Sequence, residues 1–80
     1  MTGAEKRRTA RISQILDAAA HCFVEMGFHR AGMAKIAARA KMSPGHIYHY
    51  FESKEAIIAA IVDRESARAA ELVAAGGDGV

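Results

Sequence analysis

A connection of only three residues, 41–43, separates two short stretches that read as helices, and it limits the folds open to this chain. Residues 33–40 place a methionine, an isoleucine and two alanines on one face, which predicts a helix. Ser43 then offers an N-cap and Pro44 suits the first helical position, so we predict another helix over 44–51. Three residues allow only a tight turn, and two helices joined in this way form a helix-turn-helix.

Longer helical patterns flank this pair. From Ile12, apolar residues recur at i, i+3, i+4, i+7, i+11 and i+14, which predicts a helix over about 9–26 that Gly27 ends in a left-handed conformation. A further helix is predicted over about 53–75, because a wide apolar face follows Ser53. No segment alternates with the period of a strand. We therefore expect an all-α fold, a helical bundle with a helix-turn-helix.

Length and composition bound the possibilities further. Eighty residues make one domain at most, with a small core. Cys22 is the single cysteine, so the chain has no internal disulfide and suits a reducing compartment. No apolar run approaches the length of a membrane span. We expect a cytoplasmic protein that has no contact with membrane.

Charge is distributed unevenly along the chain. Residues 29–50 contain four cations and no carboxylate, whereas acidic residues outnumber basic ones from Glu52 onward. The four cations are Arg30, Lys35, Arg39 and Lys41. A region with cations alone predicts a surface that faces a polyanion.

The helix predicted over 44–51 has side chains suited to the major groove of DNA. Ile47 and Phe51, four residues apart, form its buried side and leave the others facing outward. Gly45 permits close approach of the backbone, while His46 and His49 can hydrogen-bond to base edges or contact a thymine methyl. Such a helix can enter the groove because its N-terminal end has no bulky carboxylate.

Residues around and after this helix supply donors for phosphate. Tyr48, Tyr50 and Lys54 can donate to phosphate oxygens, and the helix that begins after Ser53 adds free backbone N–H groups. Tyr48 can equally close the core beside Ile47, and both roles stay open.

Four groups of residues together resemble the N-terminal DNA-binding domain of the TetR family of transcriptional regulators. They are Ile15-Leu16-x-Ala18-Ala19, Phe23-x-Glu25-x-Gly27-Phe28, Ile36-Ala37-x-x-Ala40, and Ser43-x-Gly45-x-Ile47-Tyr48-x-Tyr50-Phe51-x-Ser53-Lys54-Glu55. The similarity covers about residues 12–58 at fixed spacing. Each group alone is a weak signal, but the set is specific.

The resemblance implies a function and a set of contacts. It implies sequence-specific binding of double-stranded operator DNA, no enzymatic activity and no cofactor, in a homodimeric regulator, typically a repressor that a small-molecule effector releases. The residues expected to contact DNA are Met33, Ala34, Ser43, Pro44, Gly45, His46, Tyr48, His49, Tyr50 and Lys54.

We accordingly divide the chain into three parts. Residues 1–8 are predicted to be a flexible basic arm, and residues 9–58 the DNA-binding domain, with its helix-turn-helix at about 32–51. Residues 59–80 are predicted to complete the last helix and to lead toward an effector-binding and dimerisation domain that is not in this chain.

The chain departs from the family pattern at two places. Family members usually have Thr or Ser at the positions of Ala31 and Gly32, where a hydroxyl caps the following helix, so we expect a weaker cap here. They usually have Gly at the position of Lys41, where the turn favours a left-handed residue. Lysine there is expected to be strained by about 1 kcal/mol while it adds positive charge near DNA.

Other interpretations of the same residues are weaker. His46 and His49 lack a third convergent ligand for a metal, and Ser43 with His46 lacks the orienting acid of a catalytic triad. The chief alternative is a helical protein-interaction module, in which exposed aromatic and isoleucine side chains dock a partner. Structured RNA is disfavoured, because its narrow major groove excludes a helix.

Overall fold

The computed structural model describes the backbone of residues 3–77 and the side chains of residues 3–73. Within this range the chain forms four helices and no strand: α1 (Gly3–Met26), α2 (Met33–Arg39), α3 (Pro44–Tyr48) and α4 (Lys54–Gly77). The predicted all-α fold and its helix-turn-helix are confirmed. The end of the predicted linker, residues 78–80, lies outside the described residues.

The first helix begins six residues earlier than predicted. It starts at Gly3 rather than Thr9, so the prediction of a flexible arm is wrong for residues 3–8, while residues 1–2 lie outside the described part. Alanine, glutamate, lysine and arginine all have high helix propensity, and Glu5 in the first turn complements the helix dipole. Local preference thus extends α1 beyond its apolar pattern.

The other boundaries lie close to the predicted ones. α2 and α4 differ from the prediction by one or two residues, within the usual uncertainty of helix ends. α3 ends at Tyr48 rather than at residue 51. Helical hydrogen bonding nevertheless continues, because the Phe51 N–H donates to the Ile47 carbonyl at 3.0 Å.

Each helix contributes one fully buried isoleucine to the core. Ile15, Ile36, Ile47 and Ile57 come from α1, α2, α3 and α4 and have no exposed surface. Burying each such side chain contributes about 1.5 to 3 kcal/mol before the entropy cost of ordering. This shared core holds the short α3, which is too short to be stable alone, in a fixed orientation.

Small residues bring the long helix against the helix-turn-helix. Ala19 of α1 and Ala37 of α2 are both fully buried, and their size allows the two helices to approach closely. Cys22 of α1 is also buried, and its thiol is free. An ion pair of 2.8 Å between Asp17 and Arg64 also joins α1 to α4.

The turn between α2 and α3 is a Schellman motif that has lysine at its left-handed position. Lys41 has φ 61°, its N–H donates to the Ala38 carbonyl at 3.1 Å, and the Met42 N–H donates to the Ala37 carbonyl at 2.9 Å. The expected left-handed conformation of Lys41 is confirmed. Gly27, with φ 81°, ends α1 as predicted.

The apolar face of α4 is only partly covered. Ile57 is buried, but Val62 is exposed, and farther along Leu72 and Val73 are about three-quarters exposed. None of the helices in the described part of the chain is both long and apolar enough to span a membrane.

Candidate nucleic-acid interface

The N-terminal end of α3 is capped and protrudes from the domain. Ser43 has an extended backbone, and its Oγ accepts a hydrogen bond of 3.1 Å from the His46 N–H. Pro44 occupies the first turn, where its missing N–H costs nothing. Ser43, Pro44 and Gly45 are all exposed. The predicted N-cap is confirmed, and it leaves a small, uncharged helix end open to a ligand.

A cluster of rings follows this end. The Tyr50 ring centroid lies 5.6 Å from that of His46 and 5.2 Å from that of His49, with the His49 ring edge-on. Tyr50 is half-buried and packs against the core, whereas His49 is exposed and His46 half-buried. Tyr50 and His46, which were predicted to face outward, are therefore only partly exposed. The Tyr50 ring is in contact distance of both imidazoles.

Arg8 of α1 completes the cluster. Its guanidinium carbon lies 5.4 Å from the Tyr50 ring centroid, a cation–π distance. This contact was not predicted from the sequence, because residues 1–8 were expected to form a flexible arm. Arg8 lies four residues before Ile12, which places it on the core-facing side of the helix. This spacing is the signal that could have revealed the contact.

Lys54 is engaged within the protein. Its Nζ donates to the Phe28 carbonyl at 2.7 Å and to the His29 carbonyl at 3.2 Å, and it lies 4.5 Å from the Phe28 ring centroid. The ammonium thus fastens the start of α4 to the loop after α1. Its third donor is the one available to an outside group.

The remaining predicted residues differ in exposure. Tyr48 is 52% exposed, so it does not close the core. Ala34 is exposed, while Met33 is half-buried and packs against the core cluster. Gly32 is the N-cap of α2 and provides no side-chain hydrogen bond, which confirms the expected weak cap.

Of the four cations in residues 29–50, three form no ion pair with another described residue. Arg39 pairs with Glu25 of α1 at 2.8 Å, and this partner was not foreseen. Arg30, Lys35 and Lys41 are exposed and form no such pair. Residues 29–50 therefore keep three exposed cations without an acidic partner in these ion pairs. Within the described residues, no three metal-binding side chains lie together.

Comparisons with known proteins identify relatives of this chain. Residues 15–61 match the family model of bacterial regulatory proteins of the tetR family. The chain is 46% identical over 68 residues to the transcriptional regulator UidR of Escherichia coli strain K12, which covers 85% of this chain and 33% of UidR. No solved structure gives a significant match.

Two relatives from other bacteria extend the comparison. The transcriptional repressor Rv1474c of Mycobacterium tuberculosis is 35% identical over 85% of this chain and 36% of its own length. The A-factor receptor protein of Streptomyces griseus is 46% identical over 65% of this chain and 19% of its own length. The chain thus spans about a third or less of these relatives. Because the family model covers more than half of it, the chain belongs to the TetR family of bacterial regulatory proteins, as its DNA-binding domain.

Proposed function

We propose that this chain binds double-stranded operator DNA in a sequence-specific manner by inserting α3 into the major groove. The observation that carries the proposal is the exposed, capped and carboxylate-free end of α3, which the buried Ile47 anchors to the core and the exposed Lys41 precedes. A groove-binding helix needs such an end, because side chains must reach base edges without repelling phosphates.

Within this interface we assign two kinds of contact. Ser43, Pro44, Gly45, His46 and His49 face the groove, and the two imidazoles read base edges. Tyr48 and Tyr50 donate to phosphates, and Met33 with Ala34 abuts the backbone at the start of α2. For Lys54 we propose a double role, since two carbonyls of the loop hold its ammonium while its third donor faces phosphate.

We further propose that the whole regulator is a cytoplasmic homodimer without enzymatic activity that represses transcription until a small-molecule effector binds a C-terminal domain. Rv1474c is named a repressor and the Streptomyces griseus relative is named a receptor, which supports repression and effector binding. Dimerisation would place two copies of α3 about one helical turn of DNA apart, or a multiple of it. The single domain is then expected to bind weakly, because it lacks the second half-site.

Selection of duplexes from a random pool with the 80-residue chain tests the proposal. We expect enrichment of a short motif, and binding to it should weaken with salt at a log–log slope of about −0.9 for each phosphate contact. The same duplex with its motif scrambled serves as the control. Enrichment of no motif, together with binding that does not respond to salt, would instead favour a protein-interaction module.

A further inference from the structure

The first three turns of α1 extend beyond the hydrophobic core. All residues from Gly3 to Arg11 are exposed, and the first fully buried residue of the helix is Ile15. Local helix propensity continues α1 through these turns, and a tertiary contact adds a restraint on their position. The contact between Arg8 and Tyr50 is such a restraint.

Arg8 lies on the face of α1 that packs against the core. At 3.6 residues per turn it is only about 20° from Ile15 around the helix axis, whereas Lys6 is about 160° from Arg8. Arg8 therefore occupies the next position on the core-facing side of α1, one turn before the apolar residues begin. The Arg8 guanidinium contacts the Tyr50 ring as well as solvent.

The position of Arg8 is next to the residues proposed to read bases. The same Tyr50 ring that lies below its guanidinium also contacts His46 and His49. A guanidinium stacked on a ring keeps the N–H groups at its edges free, and these match a phosphate in a bidentate manner. Stacking also fixes the side chain in advance, which reduces the entropy cost of binding.

We infer that Arg8, held on the Tyr50 ring, is a further DNA-contacting residue that binds a backbone phosphate beside the groove entered by α3. The inference rests on the proposed function and deepens it. It adds the N-terminal turns of α1 to the interface, so that DNA contacts come from α1 as well as from the helix-turn-helix.

The test compares two variants that each remove one positive charge from the same stretch of α1. Affinity of the 80-residue chain for its selected duplex is measured against salt for the wild type, Arg8→Ala and Lys6→Ala. For Arg8→Ala we expect the log–log slope to become shallower by about 0.9, with about a tenfold loss of affinity at 0.1 M salt. The loss should be the same on a scrambled duplex, because phosphate carries no sequence. Lys6→Ala should keep the wild-type slope.

Two further variants test whether the effect of Arg8 depends on its guanidinium and on the Tyr50 ring. Arg8→Lys keeps the charge and should restore the wild-type slope while affinity stays reduced, because lysine lacks the planar fork. In a Tyr50→Leu background, which lacks the ring, Arg8→Ala should have a much smaller effect on affinity. Equal salt slopes for Arg8→Ala, Lys6→Ala and the wild type would overturn the inference and leave the proposed function intact. Failure of the wild type to bind any duplex with a salt dependence would instead reject the proposed function itself.

Discussion

At the scale of single residues, Lys41 occupies a backbone conformation that suits glycine better. A left-handed conformation costs a non-glycine residue about 1 to 2 kcal/mol, whereas glycine costs about 0.5 to 1 kcal/mol in chain entropy. The difference favours glycine at φ 61°. We therefore predict that Lys41→Gly raises the free energy of unfolding by about 0.5 to 1 kcal/mol.

Urea denaturation checks this prediction, and Lys35 provides a matched control. Lys35 lies inside α2, so Lys35→Gly should lower the free energy of unfolding by about 1 kcal/mol through helix propensity alone. The two identical substitutions should thus have opposite signs. A loss of stability at both positions would contradict the strain assigned to Lys41.

Lys54 has a structural role in addition to its proposed contact with DNA. Its ammonium donates to two loop carbonyls, so Lys54→Ala leaves these acceptors without their charged donor. We expect a loss of about 1 to 2 kcal/mol in the free energy of unfolding, measured by urea denaturation. Lys35→Ala, on an exposed part of α2, should change stability by less than about 0.5 kcal/mol.

An affinity measurement complements the stability measurement for Lys54→Ala. Under conditions in which the Lys54→Ala variant is folded, its affinity should fall by the same factor for the selected and the scrambled duplex. Phosphate contacts are independent of sequence. If stability were unchanged, the ammonium would have no structural role and would serve DNA alone.

At the scale of helices, α2 begins without a side-chain cap. Gly32 has an extended backbone with φ −77°, and a Cβ added there would meet nothing within 4 Å. A serine can therefore fit and accept a hydrogen bond from the first turn. We predict that Gly32→Ser raises the free energy of unfolding by about 0.5 to 1 kcal/mol, through the cap and reduced chain entropy together.

Gly32→Ala is the control for the helix cap. It reduces the entropy of the unfolded chain in the same way but offers no oxygen, so thermal denaturation should place it below Gly32→Ser. Equal melting temperatures for the two variants would show that the cap contributes nothing to α2.

The sequence predicts the helices because their signals are local. The spacing of apolar residues from Ile12, the left-handed Gly27 and the Ser43-Pro44 pair each specify one element without reference to distant residues. The boundary of α1 is different. Its first turns carry no apolar signal, and the contact that restrains them joins Arg8 to Tyr50, 42 positions later.

Side-chain partners in the candidate site were less predictable for the same reason. The Lys54 ammonium can reach phosphate or the loop carbonyls, and only the packing of α4 against that loop brings the carbonyls within hydrogen-bond distance. The pairing of Arg39 with Glu25 likewise depends on how α1 crosses α2. Residue type gives the available chemistry, whereas tertiary geometry determines which partner is used.

At the scale of the whole molecule, one small core supports two exposed surfaces. The exposed end of α3 carries the proposed DNA contacts, and the exposed Lys41 lies just before it. At the far end of α4, Leu72 and Val73 are exposed with little of the chain near them. The chain spans about a third of UidR and Rv1474c, so effector binding and dimerisation belong to the proposal for the whole regulator.

We propose that the imidazoles of His46 and His49 read the DNA sequence. The most direct test measures the affinity of the wild type and of a His46→Ala/His49→Ala variant for the selected duplex and its scrambled control at one salt concentration. We predict that the variant loses about 1 to 3 kcal/mol on the selected duplex for each base contact removed, and little on the scrambled one. The ratio of the two affinities should then approach one. Equal losses on both duplexes, with the ratio unchanged, would contradict the claim.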